Sequence, residues 1–299
     1  MKLPLELVET LATIVSEGSL DAAARRLQLT PSAVSQRLAS LESQVGHVLL
    51  VRSKPSRATE AGQVVVRLAR QLALLEHDAR AELGGVDSSV PISIPLAVNA
   101  DSLATWFLEP LARLGRTHPV VFDLHRDDQD FTVGLLKSGT VMGAVTSRER
   151  PVAGCRVHPL GVLRYRAVAT PDFLARWLPD GPQPAHLSMA PVVDFDRRDD
   201  LQSGWLAQLG VDPSAPPRHY VPSSNDFARA IRLGLGWGLL PGFQSGSALA
   251  SGDLIELGGP SVDVPLFWQQ WKLPSVLLDD IAAEIVAEAG RVLHFPASR

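Results

Sequence analysis

The run from Ser19 to Leu41 restricts the fold more than any other part of the chain. Ser19 is a good N-cap, and Leu20-Asp21-Ala22-Ala23-Ala24-Arg25-Arg26-Leu27 after it has the composition of a helix. Its consecutive alanines carry so little side chain that another helix can cross close over them. Only Gln28-Leu29-Thr30 intervenes before Pro31. Proline suits the first position of a helix, where its missing N–H would have no partner anyway. Thr30 is then the cap of the next helix, whose inner stripe is Val34, Leu38 and Leu41 at spacings of four and three. Ahead of this pair, Leu7, Val8, Leu11, Ile14 and Val15 line one face of a helix over residues 5–16, and Gly18 stops it. Three short helices with a tight second connection make a helix-turn-helix.

The third helix keeps Ser32, Ser35, Gln36 and Arg37 off its inner stripe. With Thr30 and Pro31 at its start, these short polar and basic groups can reach base edges and phosphates in a DNA groove. After Gly46 an apolar pair, Leu49-Leu50, leads into Val51-Arg52-Ser53-Lys54-Pro55-Ser56-Arg57. This reads as a β-hairpin wing whose cations, Arg52, Lys54 and Arg57, touch the sugar–phosphate backbone. The net charge of −4 looks wrong for a nucleic-acid binder, but it is unevenly spread. Residues 1–58 hold seven basic and five acidic side chains, a net of +2, and the remaining residues carry −6. A basic head on an acidic body can bind phosphate when its cations share a face.

Thr59-Glu60-Ala61-Gly62 opens a long helix through about Leu83. Val65, Leu68, Leu72 and Leu75 step along it by three and four, a seam suited to a dimerising coiled coil. Gly84-Gly85 ends the helix, and Asp87-Ser88-Ser89 reads as a hinge. From Pro91 the texture changes to alternating strands and helices, in two series that begin near Ile92 and near Tyr165. Such alternation implies two small parallel-rich α/β units. The chain is expected to return to the first unit near Leu266–Trp271 and through a last helix, Val276–Leu293.

An enzyme finds little support in the residues. No histidine pair has the i, i+4 spacing of a zinc helix, and there is no phosphate-binding loop or G-x-S-x-G elbow. Gly234, Gly236 and Gly238 form G-x-G-x-G, better explained by a tight turn before a strand than by a dinucleotide site. No catalytic residue, metal site or cofactor is expected. The single cysteine, Cys155, excludes an intrachain disulfide and fits a reducing cytoplasm. There is no secretory signal at the start and no apolar run of about 20 residues that would span a bilayer. A transport-type solute-binding protein would account for the α/β halves but not for the first eighty residues.

The run 20–38 with Leu41-Glu42, then Leu49-Leu50-Val51-Arg52 and Thr59-Glu60-Ala61-Gly62, resembles in order and spacing the signature of LysR-type regulators. Ala97-Val98-Asn99-Ala100-Asp101-Ser102-Leu103-Ala104-Thr105-Trp106, Ala190–Asp196, Ser223-Ser224 before Phe227, and Leu249–Ile255 resemble the ArgP/LysG (IciA) group. Asn225-Asp226 departs from the Glu-Ala usual there, and residues 122–131 match loosely. The resemblance implies a multidomain chain. It has an all-α winged helix-turn-helix head over 1–58 and a long linker helix with hinge over 59–88. Two Rossmann-like subdomains of the type 2 periplasmic-binding-protein kind follow, one from 91–163 plus 268–299 and one from 164–267. The implied partners are double-stranded promoter DNA, a basic amino acid (lysine or arginine), a second copy in dimers and tetramers, and RNA polymerase, with no membrane. Regulators of this group control basic amino acid export or metabolism.

Open α/β sheets place ligands beyond the carboxyl ends of their strands. Asn99, Ala100, Asp101 and Ser102, then Asp123, Asp127 and Asp128, Thr146, and Asp194, Phe195 and Asp196 occupy such positions. The resemblance adds Ser223 and Ser224. A helix starting at Ser102 would offer N–H groups to an α-carboxylate, with Thr146 as a second donor. The aspartates are candidates for the cationic end, which needs a carboxylate partner when buried.

Overall fold

The computed structural model describes residues 3–83, 91–126 and 129–294. The expected hinge at Asp87-Ser88-Ser89 lies outside the described residues. The head consists of α1 (Leu5–Glu17), α2 (Leu20–Arg26) and α3 (Pro31–Val45), then strands β1 (Leu50–Val51) and β2 (Arg57–Ala58) paired antiparallel as a wing. Ser19 Oγ accepts the Ala22 N–H at 3.1 Å, and Thr30 Oγ1 accepts the Ala33 N–H at 3.2 Å. Each satisfies one of the donors that a helix start leaves free. Between the two helices Gln28 takes a left-handed backbone, φ +55°. The Leu29 N–H donates to the Ala24 carbonyl at 2.9 Å and the Gln28 N–H to the Arg25 carbonyl at 3.3 Å. This is the Schellman closure, which ends α2 and turns the chain into α3. Leu11, Ile14, Ala23, Val34, Leu38, Leu41 and Leu49 fill the core of the head. Glu42 links α3 to the wing, its Oε1 accepting the Leu49 N–H at 2.8 Å and the Leu50 N–H at 3.3 Å.

The linker helix α4 (Glu60–Glu82) is capped by Thr59, whose Oγ1 accepts the Gly62 N–H at 3.0 Å and donates to the Val48 carbonyl at 2.7 Å. At Gly62 the helix passes so close to the strand that a Cβ would lie 2.0 Å from the Leu49 carbonyl oxygen. Val65, Val66 and Ala69 are buried in the core of the head, whereas Leu74 belongs to the core of the α/β region and Leu75 packs against it. The seam expected to be free for a second copy is therefore divided. Val65 and Leu75 face the chain's own cores, and Leu68 and Leu72 are half-buried.

In the α/β region β3 (Ile92–Val98) leads through α5 (Ala100–Thr105) and α6 (Leu108–Thr117) to β4 (Val120–Arg126). Helix α7 (Gln129–Ser138) follows, then β5 (Gly143–Thr146). Next come β6 (Cys155–Ala169), α8 (Pro171–Trp177), α9 (Pro184–Leu187), β7 (Val192–Asp194), α10 (Leu201–Gln208) and β8 (Arg218–Tyr220). The chain continues with α11 (Ser224–Arg232), β9 (Gly238–Pro241), α12 (Gly242–Ser251), β10 (Ile255–Glu256), β11 (Val262–Trp271) and α13 (Val276–Val292). Strand β3 lies parallel between β4 and β5. Strands β7 and β8 form a separate parallel pair.

The two units are joined by β6 and β11, long antiparallel strands that run from one to the other. One end of β11 pairs with β5 of the first lobe, and the second lobe's β9 and β10 pair with β6. Their register shifts between Leu266 and Phe267. Helix α13 then packs back on α6 in the first lobe. The sequence reading starts the second series at Tyr165, but β6 begins ten residues earlier. Pro159 and Gly161 hide that stretch. Gly161 has φ +117°, and a Cβ there would lie 2.8 Å from the His294 carbonyl oxygen. The glycines 234–238 serve packing: a Cβ on Gly236 would lie 2.8 Å from the Pro191 carbonyl oxygen. Among the described residues no helix is long and apolar enough to cross a membrane.

Candidate functional site

A cleft of about 340 Å³ opens where the two lobes meet. Its first-lobe wall is Asn99, Ala100 and Asp101, at the turn from β3 into α5. The turn stands at the carboxyl edge of the parallel strands, level with the end of β4, because Val98 pairs with Arg126. The N–H groups of a first helical turn have no partner within the helix, so this wall offers donors. Tyr165 and Val264 contribute from the crossing strands β6 and β11. The opposite wall is Phe195, Asp196, Arg198, Asp199, Asp200, Leu201 and Gln202, with Phe227, Leu239, Pro241 and Gln244 completing it.

The cleft is strongly acidic and rich in acceptors. Asp196 accepts the Arg198 N–H at 2.7 Å, the Asp199 N–H at 3.1 Å and the Arg198 side chain at 3.2 Å. Burial works to raise its carboxyl, but those three donors hold it below the usual range. Asp199 accepts the N–H groups of Phe195 at 3.3 Å and Leu201 at 3.1 Å. Burial outweighs these bonds and, with the charges of Asp194 and Asp101 nearby, pushes Asp199 up to about 6. Among the described residues, the buried oxygens Asn99 Oδ1, Gln202 Oε1 and Gln244 Oε1 accept no hydrogen bond. A ligand that pairs with these groups must bring several N–H donors.

The residues expected from sequence are distributed unevenly around this cleft. Asn99, Ala100, Asp101, Phe195 and Asp196 line it. Ser102 is fully buried and not part of the lining, and among the described residues its Oγ has no partner. Ser224 is buried at the start of α11 and bonds to Asp101, while Ser223 stands before the helix as its cap position. Thr146 is buried at the end of β5, where its Oγ1 accepts the Arg148 N–H at 3.1 Å, and it does not line the cleft. Asp194 is also outside the lining. Its carboxylate is paired with Arg218, and burial raises its pKa against that pull. Asp123 sits opposite Pro95 in mid-strand, pairs with His125 at 3.2 Å and acts electrostatically on Arg70 of α4. Asp127 and Asp128 lie outside the described residues.

Sequence reasoning missed Tyr165, Asp199, Asp200, Gln202 and Gln244. Asp199 and Asp200 were within reach, since they close the charged run that begins at Asp194. Tyr165 had the weak signal of being one of only two tyrosines. Gln202 and Gln244 carry no local signal. They become site residues only because α10 and α12 fold against β7 and β9.

On the head, Thr30, Pro31, Ser32 and Gln36 are exposed along one side of α3, with Ser35 and Arg37 half-exposed beside them. Arg52, Lys54 and Arg57 are exposed on the wing. Arg37 pairs with Glu6 at 3.1 Å. Such a surface pair is worth about 0–1 kcal/mol, so it holds the guanidinium only weakly.

Residues 5–63 match the model of the bacterial regulatory helix-turn-helix protein, lysR family, and residues 93–277 match the LysR substrate binding domain. The chain is similar to the HTH-type transcriptional regulator LysG of Mycobacterium tuberculosis, 47% identical over 93% of this chain and 91% of the relative. Among solved structures it resembles ArgP from Mycobacterium tuberculosis, with a TM-score of 0.85, 44% identity and coverage of 97% and 98% of the two chains. It also resembles full-length LysG from Corynebacterium glutamicum with bound effector arginine, at a TM-score of 0.77 and 37% identity over 97% and 99%. These matches span the head and the α/β region alike, and the chain belongs to the LysR family of DNA-binding transcriptional regulators.

Proposed function

We propose that the chain senses a basic amino acid, arginine or lysine, in the interlobe cleft and thereby controls genes of basic amino acid export or metabolism. The observation that carries this reading is the concentration of Asp101, Asp196, Asp199 and Asp200 around one cleft of amino acid size. A neutral or anionic ligand would gain nothing from that charge, whereas a buried ammonium or guanidinium requires it. The arginine bound in the related Corynebacterium glutamicum structure supports the ligand class. The α-carboxylate is assigned to the turn at Asn99–Ser102, where Ser102 Oγ is buried without a partner among the described residues. The cationic end is assigned to the carboxylates opposite.

The DNA reading follows from the head. Two copies joined through α4, and paired again through their effector regions as a tetramer, would set two α3 helices into successive major grooves of an interrupted palindrome. Arg52, Lys54 and Arg57 would hold the backbone. A ligand with different affinities for two arrangements of the heads then shifts promoter occupancy and the recruitment of RNA polymerase in the cytoplasm. No cofactor, metal or catalytic residue enters this scheme.

Calorimetric titration with lysine, arginine, ornithine and histidine, with leucine as control, tests the sensor half. Binding of a basic amino acid that is lost in Ser102→Ala is the expected result. Equal binding of leucine would refute the assignment of a cation site.

A further inference from the structure

Asp101 stands on the first turn of α5, in the first lobe, yet both of its carboxylate oxygens are held from outside that lobe's helices. Oδ1 accepts from the Ser224 hydroxyl at 2.7 Å, and Oδ2 accepts from the Tyr165 hydroxyl at 2.6 Å. Ser224 Oγ in turn accepts from Gln244 Nε2 at 2.9 Å, and the same nitrogen reaches the Ser224 carbonyl at 3.3 Å. Tyr165, Ser224 and Gln244 come from β6, α11 and α12, and all three are buried. Burial, and then the charge of Asp101, push the Tyr165 phenol well above its ordinary range, so it remains a donor.

The other cleft carboxylates are held differently. Asp196 and Asp199 take their bonds from N–H groups and a side chain two to four residues away in their own loop. Those bonds shape a turn and pull nothing across the cleft. The bonds to Asp101 span 64 and 123 residues of sequence, at the short lengths of hydroxyl donors on a carboxylate. Each constrains the distance between the lobes. A carboxylate already accepting two buried hydroxyls also has less to gain from a ligand's cation than one left facing the cleft.

We infer that Asp101 is a positioning residue, a strut across the cleft whose bonds to Tyr165 and Ser224 set the lobe spacing before a ligand arrives. The cationic end of the ligand is left to Asp196, Asp199 and Asp200. The inference deepens the proposed reading of the cleft and rests on it for the ligand, but not for the spacing. A protein held in its binding-competent spacing binds more tightly than one that must first close, by the ratio of the competent fractions.

The test uses the full chain with nitroxides at Glu109→Cys on α6 and Arg229→Cys on α11, both exposed, while the native Cys155 is buried. Pulsed spin-resonance distances are recorded without ligand. Arginine and its neutral isostere citrulline are titrated into the unlabelled protein. The strut predicts that Tyr165→Phe, Ser224→Ala and Asp101→Ala each lengthen or broaden the ligand-free distance. Tyr165→Phe and Ser224→Ala each also weaken arginine by about tenfold, the loss of one charge-assisted bond, and Asp101→Ala, which loses both, weakens it further. The double variant of Asp101 and Tyr165 is no worse than the Asp101 variant alone. Asp101→Asn, which keeps an acceptor oxygen but no charge, leaves the preference for arginine over citrulline unchanged. An unaltered distance in Tyr165→Phe overturns the strut, as does loss of the arginine preference in Asp101→Asn alone. If the wild type binds neither ligand, the ligand reading fails, and the distances still decide the strut.

Discussion

Nη1 of Arg67, midway along the linker helix, donates to the carbonyl of Lys137 at 3.0 Å, in the last turn of α7. One turn further along α4, Arg70 donates to the carbonyl of Gly139. Two guanidinium groups thus satisfy carbonyls at a helix C-terminus, where orphan acceptors and the negative end of the dipole favour cations. Leu74, fully buried in the α/β core, fixes the next turn. Helix α7 starts at the carboxyl edge of β4, level with the cleft wall, and ends on the linker helix. One helix thus runs from the carboxyl edge of the first-lobe sheet to the linker helix.

Gly139 tests this joint. It has φ +73°, and a Cβ there would lie 2.4 Å from the Arg67 Cβ. Gly139→Ala is expected to destabilise the chain by about 1–3 kcal/mol in urea unfolding, from backbone strain and overpacking together. Amide exchange should quicken over residues 132–140 and stay unchanged in the wing. Equal exchange throughout would argue that α4 does not depend on this contact.

A second glycine tests the head. Because a Cβ on Gly62 would lie 2.0 Å from the Leu49 carbonyl oxygen, Gly62→Ala must separate α4 from the wing. DNA affinity is expected to fall for every sequence, with a lower melting temperature, since the wing loses its anchorage. A variant that melts like the wild type and still binds its operator would contradict this account.

The wing cations and the α3 face should separate by salt dependence. On the proposed reading, Arg52→Ala, Lys54→Ala and Arg57→Ala each remove a phosphate contact. Each should weaken binding to all sequences and reduce the slope of log affinity against log salt by about 0.9. Gln36→Ala should leave the slope alone and relax preference at one operator position, at a cost of about 1–3 kcal/mol. Titrations at several salt concentrations distinguish the two.

Asp199 makes the cleft responsive to pH. Its carboxyl is raised from 3.8 to about 6, so the native state holds a proton that the unfolded chain has released across that interval. The sign follows: the stabilisation from this group is complete below 3.8 and is lost as pH rises through about 6. A cationic ligand favours the ionised form, so its affinity should fall as pH drops through 6, with proton release on binding. Calorimetry of arginine binding in buffers of different ionisation enthalpy reads that proton directly. Asp199→Asn should abolish the release, and an undiminished release would assign the proton to another group.

Much of this architecture is written locally. The caps at Ser19, Thr30 and Thr59, the stops at Gly18 and Gly46 and the inner stripe of α3 specify the head through interactions a few residues long. The exposed polar face of α3 and the wing cations follow from the same periodicity. In the cleft, Asn99, Asp101 and Asp196 were legible because they sit at strand ends, where a parallel sheet must leave an opening. Periodicity does not say which neighbour a buried face meets. The stripe of α4 looked like a seam for a second copy, and only packing assigns Val65 to one core of the chain and Leu74 to another. Likewise an aspartate at a strand end is a carboxylate and nothing more. Whether it grips a ligand, an arginine such as Arg218 or a distant tyrosine depends on contacts made far along the chain, which only the tertiary structure decides.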